Sequence, residues 1–391
     1  MIAVATLVTV VIATNGTPLT FEQALSLADR QSPELIADQL GTAISKAEVQ
    51  TAGALPNPLA TVSYGPDEPY LFGGIEQRLP IFGQRGTAIA AAEADVRASE
   101  AKVTWTRQRV RAQVRRLYFA LAAAQAQAQV GVRLAELAKL VADGTKQRFD
   151  VGTASELDAR QAALEHERAT QEAVDRETQV REAQVALAQH LGLARGTDLV
   201  AADPLTIQPP SPSLLAETPP ASHPEAVTAR LEREAALARA TRERVAVVPV
   251  PGVAVELQQP TSSFPRVGVR VTVNTDLPLL SWNRGPIHRA EAEAAQFAAQ
   301  EQATVARVES ARAAARARLE AAQRKALLYR DRLLPEARRV EELARFAYSV
   351  GKTPLASVLQ AQSGLANDES QAIAAILQFQ EAIADLEELS P

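Results

Sequence analysis

Two hydrophobic periods divide this chain. Val267, Val269, Val271 and Val273 alternate with Gly268, Arg270, Thr272 and Asn274, and Val253, Val255 and Leu257 alternate in the same way. A period of two places apolar residues on one face of a strand and polar residues on the other. Leu59–Tyr64 and Gly74–Leu79 alternate more weakly. The second period is seven. Val96, Val103, Val110 and Leu117 form one such series, and Leu319, Ala326, Leu333 and Val340 another. Seven-residue spacing predicts supercoiled helix pairs. The runs that carry it are long. Thr87–Asp143 holds no proline and one glycine, Gly131, and Pro286–Leu334 holds no internal glycine or proline. As helices they would extend roughly 70–85 Å.

The pattern occurs twice. Pro33-Glu34 recurs as Pro224-Glu225, and Leu55-Pro56-Asn57-Pro58 as Val248-Pro249-Val250-Pro251. Leu79-Pro80-Ile81-Phe82-Gly83-Gln84-Arg85-Gly86 recurs, one residue longer, as the segment from Leu277 to Gly285. Phe149-Asp150-Val151-Gly152 recurs as Tyr348-Ser349-Val350-Gly351, and one spacing relates Arg85 to Arg284 and Gly152 to Gly351. Anchors in fixed order at a fixed offset mark a tandem repeat. Each copy predicts a helix (near Thr20–Ala54 and Pro224–Val247), two strands, a long helix, a Val-Gly turn and a returning helix over Ser155–Leu191 or Leu355–Leu389. The expected organisation is residues 17–193 and 223–391 as repeats, with 194–222 between them as a surface linker rich in proline, which cannot continue a helix.

Composition narrows the function. The net charge of −5 gives no nucleic-acid signal. Cysteine is absent, which excludes disulfides, thiolate metal sites and a lipidated cysteine within these residues. Aromatics make up 4%, too few for a thick globular core. The four histidines, His166, His190, His223 and His288, show no ligand spacing, so neither a metal site nor a cofactor is expected. No phosphate loop or paired nucleophile occurs, and no enzyme is expected. Residues 1–16 read as a signal peptide with Val11-Ile12-Ala13 as its cleavage tripeptide, or alternatively as a buried first element. Beyond them no stretch is apolar enough for a membrane helix, so entry into lipid would require a closed barrel. Four strands per chain cannot close, whereas three copies supply twelve. Tyr64, Tyr70, Phe72, Phe82, Phe264 and Trp282 lie in or beside the strand regions, as a membrane-interface girdle or as junction packing.

The order of these motifs resembles the TolC family of outer-membrane efflux proteins. The resemblance rests on Thr20-Phe21-Glu22-Gln23-Ala24-Leu25, Ser32-Pro33-Glu34, Leu55-Pro56-Asn57-Pro58, the Phe82-Gly83-Gln84-Arg85 turn and the two Val-Gly turns. The Phe-Gly-Gln-Arg turn and Gly152-Thr153-Ala154-Ser155-Glu156-Leu157-Asp158 look most like the CzcC-type heavy-metal-efflux branch. It implies a mainly α protein with a small transmembrane β part, a homotrimer forming a 12-stranded barrel on a helical coiled-coil tunnel. It also implies an outer-membrane location in a Gram-negative cell, with the helical part in the periplasm. The channel would pass substrate from an inner-membrane pump, RND type by resemblance, through a periplasmic adaptor. Adaptor docking would involve Val151, Gly152, Thr153, Val350, Gly351 and Lys352; the plainer reading is a pair of helix caps. Asp158 and Tyr348 match gating positions, or are an ordinary solvated charge and a packing ring. The family's gating arginine is Thr353 here, and Ser357 and Gln360 replace an acidic ring. A periplasmic adaptor or a structural coiled-coil protein is the alternative. The first normally has a single hairpin, and the second does not account for the paired strands.

Overall fold

The computed structural model describes residues 16–67, 71–194, 196–207, 209–262, 266–278, 280 and 282–390. The expected signal segment falls, up to residue 15, outside them, as do Tyr70 and Phe264 of the expected aromatic girdle. In chain order the elements are β1 (Thr17–Leu19), α1 (Phe21–Gln31), α2 (Pro33–Gly53), β2 (Leu59–Tyr64), β3 (Leu71–Arg78), α3 (Gln84–Asp150), α4 (Glu156–His190), β4 (Leu199–Ala201) and α5 (Pro212–Leu215). They continue as α6 (Pro224–Val245), β5 (Pro251–Gln258), β6 (Gly268–Thr275), α7 (Arg284–Leu328), a π-turn (Tyr329–Leu333), α8 (Leu334–Ser349) and α9 (Leu355–Glu388). The protein is mainly helical with a small β part, and the order helix, two strands, long helix, returning helix occurs twice.

Local chemistry explains most boundaries. Thr20 caps α1: its Oγ1 accepts the Gln23 N–H at 3.2 Å, and Gln23 Oε1 accepts the Thr20 N–H at 3.0 Å. This reciprocal pair satisfies two donors that a helix start leaves open. The first helical stretch, expected to be continuous from Thr20 to Ala54, is broken at Ser32, because Pro33 disfavours helical backbone in the residue before it. α3 runs on for 67 residues through both Gly131 and Gly144, well past the expected end at Asp143.

The other long helix departs further from expectation. It passes through Pro335 into α8 instead of ending near Leu334. Pro335 has no N–H to donate and its ring crowds the preceding turn. The π-turn widens that turn, and the Leu334 N–H bonds back to Tyr329 O. A π-turn adds one residue without adding a turn, so the inward stripe shifts by one. Leu319 and Ala326 are buried as the seven-residue series requires, but Leu333 and Val340 are exposed, and Glu341 takes the buried place instead.

The chain divides into two compact units, residues 1–36, 107–218 and 310–390 in one, and 37–106 with 219–309 in the other. Each repeat contributes to both. In the first unit, Val110, Val114, Tyr118 and Leu121 line one face of α3 and pack against Ala24 and Ala28 of α1 and Leu187 and Leu191 at the end of α4. A second cluster joins Ala315 and Leu319 of α7 to Phe379, Ile383 and Leu386 of α9. The stretch expected as a surface linker carries packing of its own. β4 pairs in parallel with β1, and Leu199 is buried. An apolar run, Leu199-Val200-Ala201-Ala202, between Asp198 and Asp203 makes this possible.

Tyr118 anchors that pairing. Its hydroxyl lies 2.9 Å from the Leu19 carbonyl and 3.0 Å from the Asp203 carboxylate, and accepts the Asp203 N–H at 3.0 Å. Asp203 also accepts the Phe21 N–H at 2.6 Å. Burial, reinforced by the Asp203 carboxylate, pushes the Tyr118 phenol above its ordinary range, so it stays a neutral donor. Replacing Tyr118 with Phe should cost about 1–3 kcal/mol, since Asp203 and Leu19 lose a buried donor. The thermal midpoint of the folded protein in detergent reads this, and an unchanged midpoint would show that the network adds nothing.

Candidate functional site

Two regions carry the features expected of a channel, one in each unit. In the second unit, β2, β3, β5 and β6 form one antiparallel sheet in that order. β3 begins three residues earlier than expected, because it pairs on both sides with β2 and β5 even where Gly73 and Gly74 hide the alternation. Residues directly opposite one another share a face. Val62 pairs with Gly73, which pairs with Leu257, which pairs with Val269. Ala60, Ile75, Val255 and Val271 form the next row. Apart from its end, where Gln77 stands, this face is apolar across all four strands, and Val62, Ile75, Val255, Leu257, Val269, Val271 and Val273 are exposed on it. The opposite face is mostly polar, carrying Thr61, Glu76, Arg78, Glu256, Arg270 and Asn274, with Leu59 and Phe72 as its large apolar members. Among the described residues, the outer strands β2 and β6 have no partner on their far edges. Among the described residues, no helix is long and apolar enough to cross a membrane.

The turns that follow the sheet expose apolar side chains. Ile81, Phe82, Leu277, Leu280 and Trp282 all face solvent. Gly83 turns the first with φ +93°; in the second, Trp282 and Asn283 adopt φ of 48° and 51°. Asn283 holds that strained turn by donating from Nδ2 to Glu243 O at 3.0 Å. The extra residue in the second copy explains why two residues there enter the left-handed region where one glycine suffices in the first.

In the first unit, the two Val-Gly turns share one hydrogen-bond pattern. The Gly152 N–H reaches Phe149 O at 2.9 Å and the Thr153 N–H reaches Arg148 O at 2.8 Å. In the second, the Gly351 N–H reaches Tyr348 O at 3.0 Å and the Lys352 N–H reaches Ala347 O at 2.8 Å. Gly152 and Gly351 have φ of +76° and +73°, the left-handed conformation that closes a helix end. Val151 and Val350 are exposed beside them, and a Cβ on either glycine would meet nothing within 4 Å.

The structure places the two gating candidates in different surroundings. Asp158 belongs to the start of α4: Ser155 Oγ accepts its N–H at 3.1 Å, and its carboxylate accepts the Ser155 hydroxyl at 2.7 Å. Tyr348 lies under the Arg148 guanidinium, 5.1 Å from the ring centroid. Arg148 was not singled out by sequence, although it sits close to Gly152 much as Tyr348 sits close to Gly351. Glu369 was missed as well. It accepts from Arg133 at 3.0 Å and pairs with Arg338 at 3.5 Å, tying α3, α8 and α9 together. Thr353 Oγ1 is buried without a hydrogen bond. Among the described residues, no cluster of three or more His, Asp or Glu could hold a metal ion.

Comparison with known proteins agrees with this geometry. Residues 71–193 match the family model described as outer membrane efflux protein. The cobalt-zinc-cadmium resistance protein CzcC of Cupriavidus metallidurans is 27% identical over 356 residues, covering 89% of this chain and 84% of that protein. Among solved structures, a membrane protein from Pseudomonas aeruginosa superposes with a TM-score of 0.80 at 20% identity, covering 95% of this chain and 93% of its own. The outer-membrane channel OprN gives 0.79 at 18% identity, with 95% and 89% covered. The repeated helix–strand–hairpin order and the two-faced sheet agree with these relatives: residues 71–193 match the outer membrane efflux protein family, and the chain as a whole has the fold of solved outer-membrane channels.

Proposed function

We propose that three copies of this chain form the outer-membrane channel of a tripartite efflux system. The observation that carries this reading is the sheet, apolar across one face, mostly polar across the other and, among the described residues, open at both edges. Lipid tolerates neither open edges nor unsatisfied backbone, and three such sheets joined by cyclic symmetry would close as twelve strands. The apolar face would meet lipid and the polar face would line the bore. Transport is conduction, not catalysis, and the driving energy comes from an inner-membrane pump, of RND type by family resemblance. A periplasmic adaptor would dock at the two tips through Val151, Gly152, Thr153, Val350, Gly351 and Lys352, where exposed valines flank glycines. The similarity to CzcC supports divalent metal ions as cargo. Outer membranes extracted in detergent should yield a heat-resistant trimer. A stable monomer that needs no detergent would overturn the reading.

Asp158 and Tyr348 belong to a weak periplasmic gate in this proposal. Each link near the tips is partly exposed to solvent, and such a link is worth about 0–1 kcal/mol. The partner of Tyr348 is Arg148, and Asp158 is engaged mainly with Ser155. Asp158→Ala and Tyr348→Ala should therefore each raise single-channel conductance only modestly. A jump to a wide-open pore from either change would show that closure is concentrated there.

A further inference from the structure

The polar face of the sheet has a relief that its composition hides. The two carboxylates on its strands, Glu76 and Glu256, are recessed and the guanidiniums beside them stand out, while Asp276, one residue past β6, stays exposed. Side-chain exposure is 21% for Glu76 and 26% for Glu256, against 58% for Arg78 and 62% for Arg270. Glycines on the same face create the recess. Glu256 lies over Gly74: a Cβ there would come within 2.8 Å of Glu256 Cγ. Glu76 lies over Gly252, where a Cβ would come within 2.7 Å of its Oε1. Neither glycine has a positive φ, so what each supplies is room for a side chain to lie flat. Each carboxylate then has an arginine beside it. Arg270 approaches Glu256 at 3.9 Å and Arg78 approaches Glu76 at 3.8 Å, and Arg78 reaches Asp276 at 3.3 Å as well. With its amide oxygen turned toward Arg270, Gln258 accepts from it at 2.8 Å and holds it over the wall.

We propose that Arg78 and Arg270 mask the carboxylates of the barrel wall, so that the bore offers a passing cation no binding surface. This rests on the barrel reading above. A bore lined by uncovered carboxylates would concentrate polyvalent cations and retard them, since a water-filled cleft of one sign raises local counter-ion concentration 10- to 1,000-fold. Recessed carboxylates under projecting guanidiniums avoid this, and the threefold axis would repeat the arrangement three times around the wall. A channel that must release its cargo benefits from a wall that does not hold it.

The test is block of the channel in planar bilayers by hexaamminecobalt(III) added to the compartment facing the barrel. The unaltered channel should pass current nearly unaffected at millimolar blocker. Arg78→Gln with Arg270→Gln should lower the half-blocking concentration by about tenfold or more. Adding Glu76→Gln and Glu256→Gln to that variant should restore the original insensitivity. Strong block of the unaltered channel from this side overturns the proposal without any variant. Intact trimeric pores whose block is unchanged by the arginine substitutions also overturn it, and leave the channel reading standing. A chain that forms no pores at all defeats the channel reading itself.

Discussion

Val62→Arg should abolish the heat-resistant trimer in outer-membrane fractions, while Thr61→Arg, one residue away, should leave most of it. The two residues are neighbours on β2 and occupy opposite faces of the sheet. Val62 is exposed in a row with Gly73, Leu257 and Val269. If that row meets lipid, an arginine there costs about 2–4 kcal/mol near the bilayer midplane, and a trimer carries the cost three times. Thr61 sits opposite Gly74 on the polar face, where an added guanidinium would project into water. The size of the new side chain is the same in both variants, so only its surroundings differ. Equal loss in both would indicate damage to the strand and not exclusion from lipid. Equal survival would mean that the apolar face does not meet hydrocarbon.

Gly152→Val and Gly351→Val should each reduce efflux about tenfold or more with little loss of trimer. Both glycines hold φ above +70°, where a β-branched residue is strained by about 1–3 kcal/mol. Nothing lies within 4 Å of either position, so the strain cannot be blamed on a clash and is relieved by reshaping the turn itself. The hydrogen bonds from Thr153 to Arg148 and from Lys352 to Ala347 would be lost with that shape. The long helices and the sheet lie outside the change, which is why assembly should persist. Asparagine, which tolerates the left-handed region, should impair efflux less at either site. Growth in the exported ion and co-purification of the adaptor read the effect. Loss of trimer with normal efflux per surviving channel would place these turns in assembly instead of docking.

The repeat, the strands, the helical hairpins and both glycine turns were readable along the chain, because each depends on residues close together. Period-two valines over 267–273 specify a two-faced strand wherever it pairs. The capping box at Thr20 is likewise a four-residue property. Where contacts join distant residues, only the folded chain decided. The seven-residue series from Leu319 places Val340 inward, yet the π-turn before Pro335 moves the stripe by one and buries Glu341. β4 acquires its partner from residues 17–19, far away in sequence. Tyr348 meets Arg148 because two turns in separate repeats are brought side by side, and no spacing in either repeat reports that. The recessed carboxylates follow the same rule. Glu256 is an unremarked strand residue until the β3–β5 register sets Gly74 opposite it, and a missing side chain on one strand can shelter a charge only through the pairing that brings the two together.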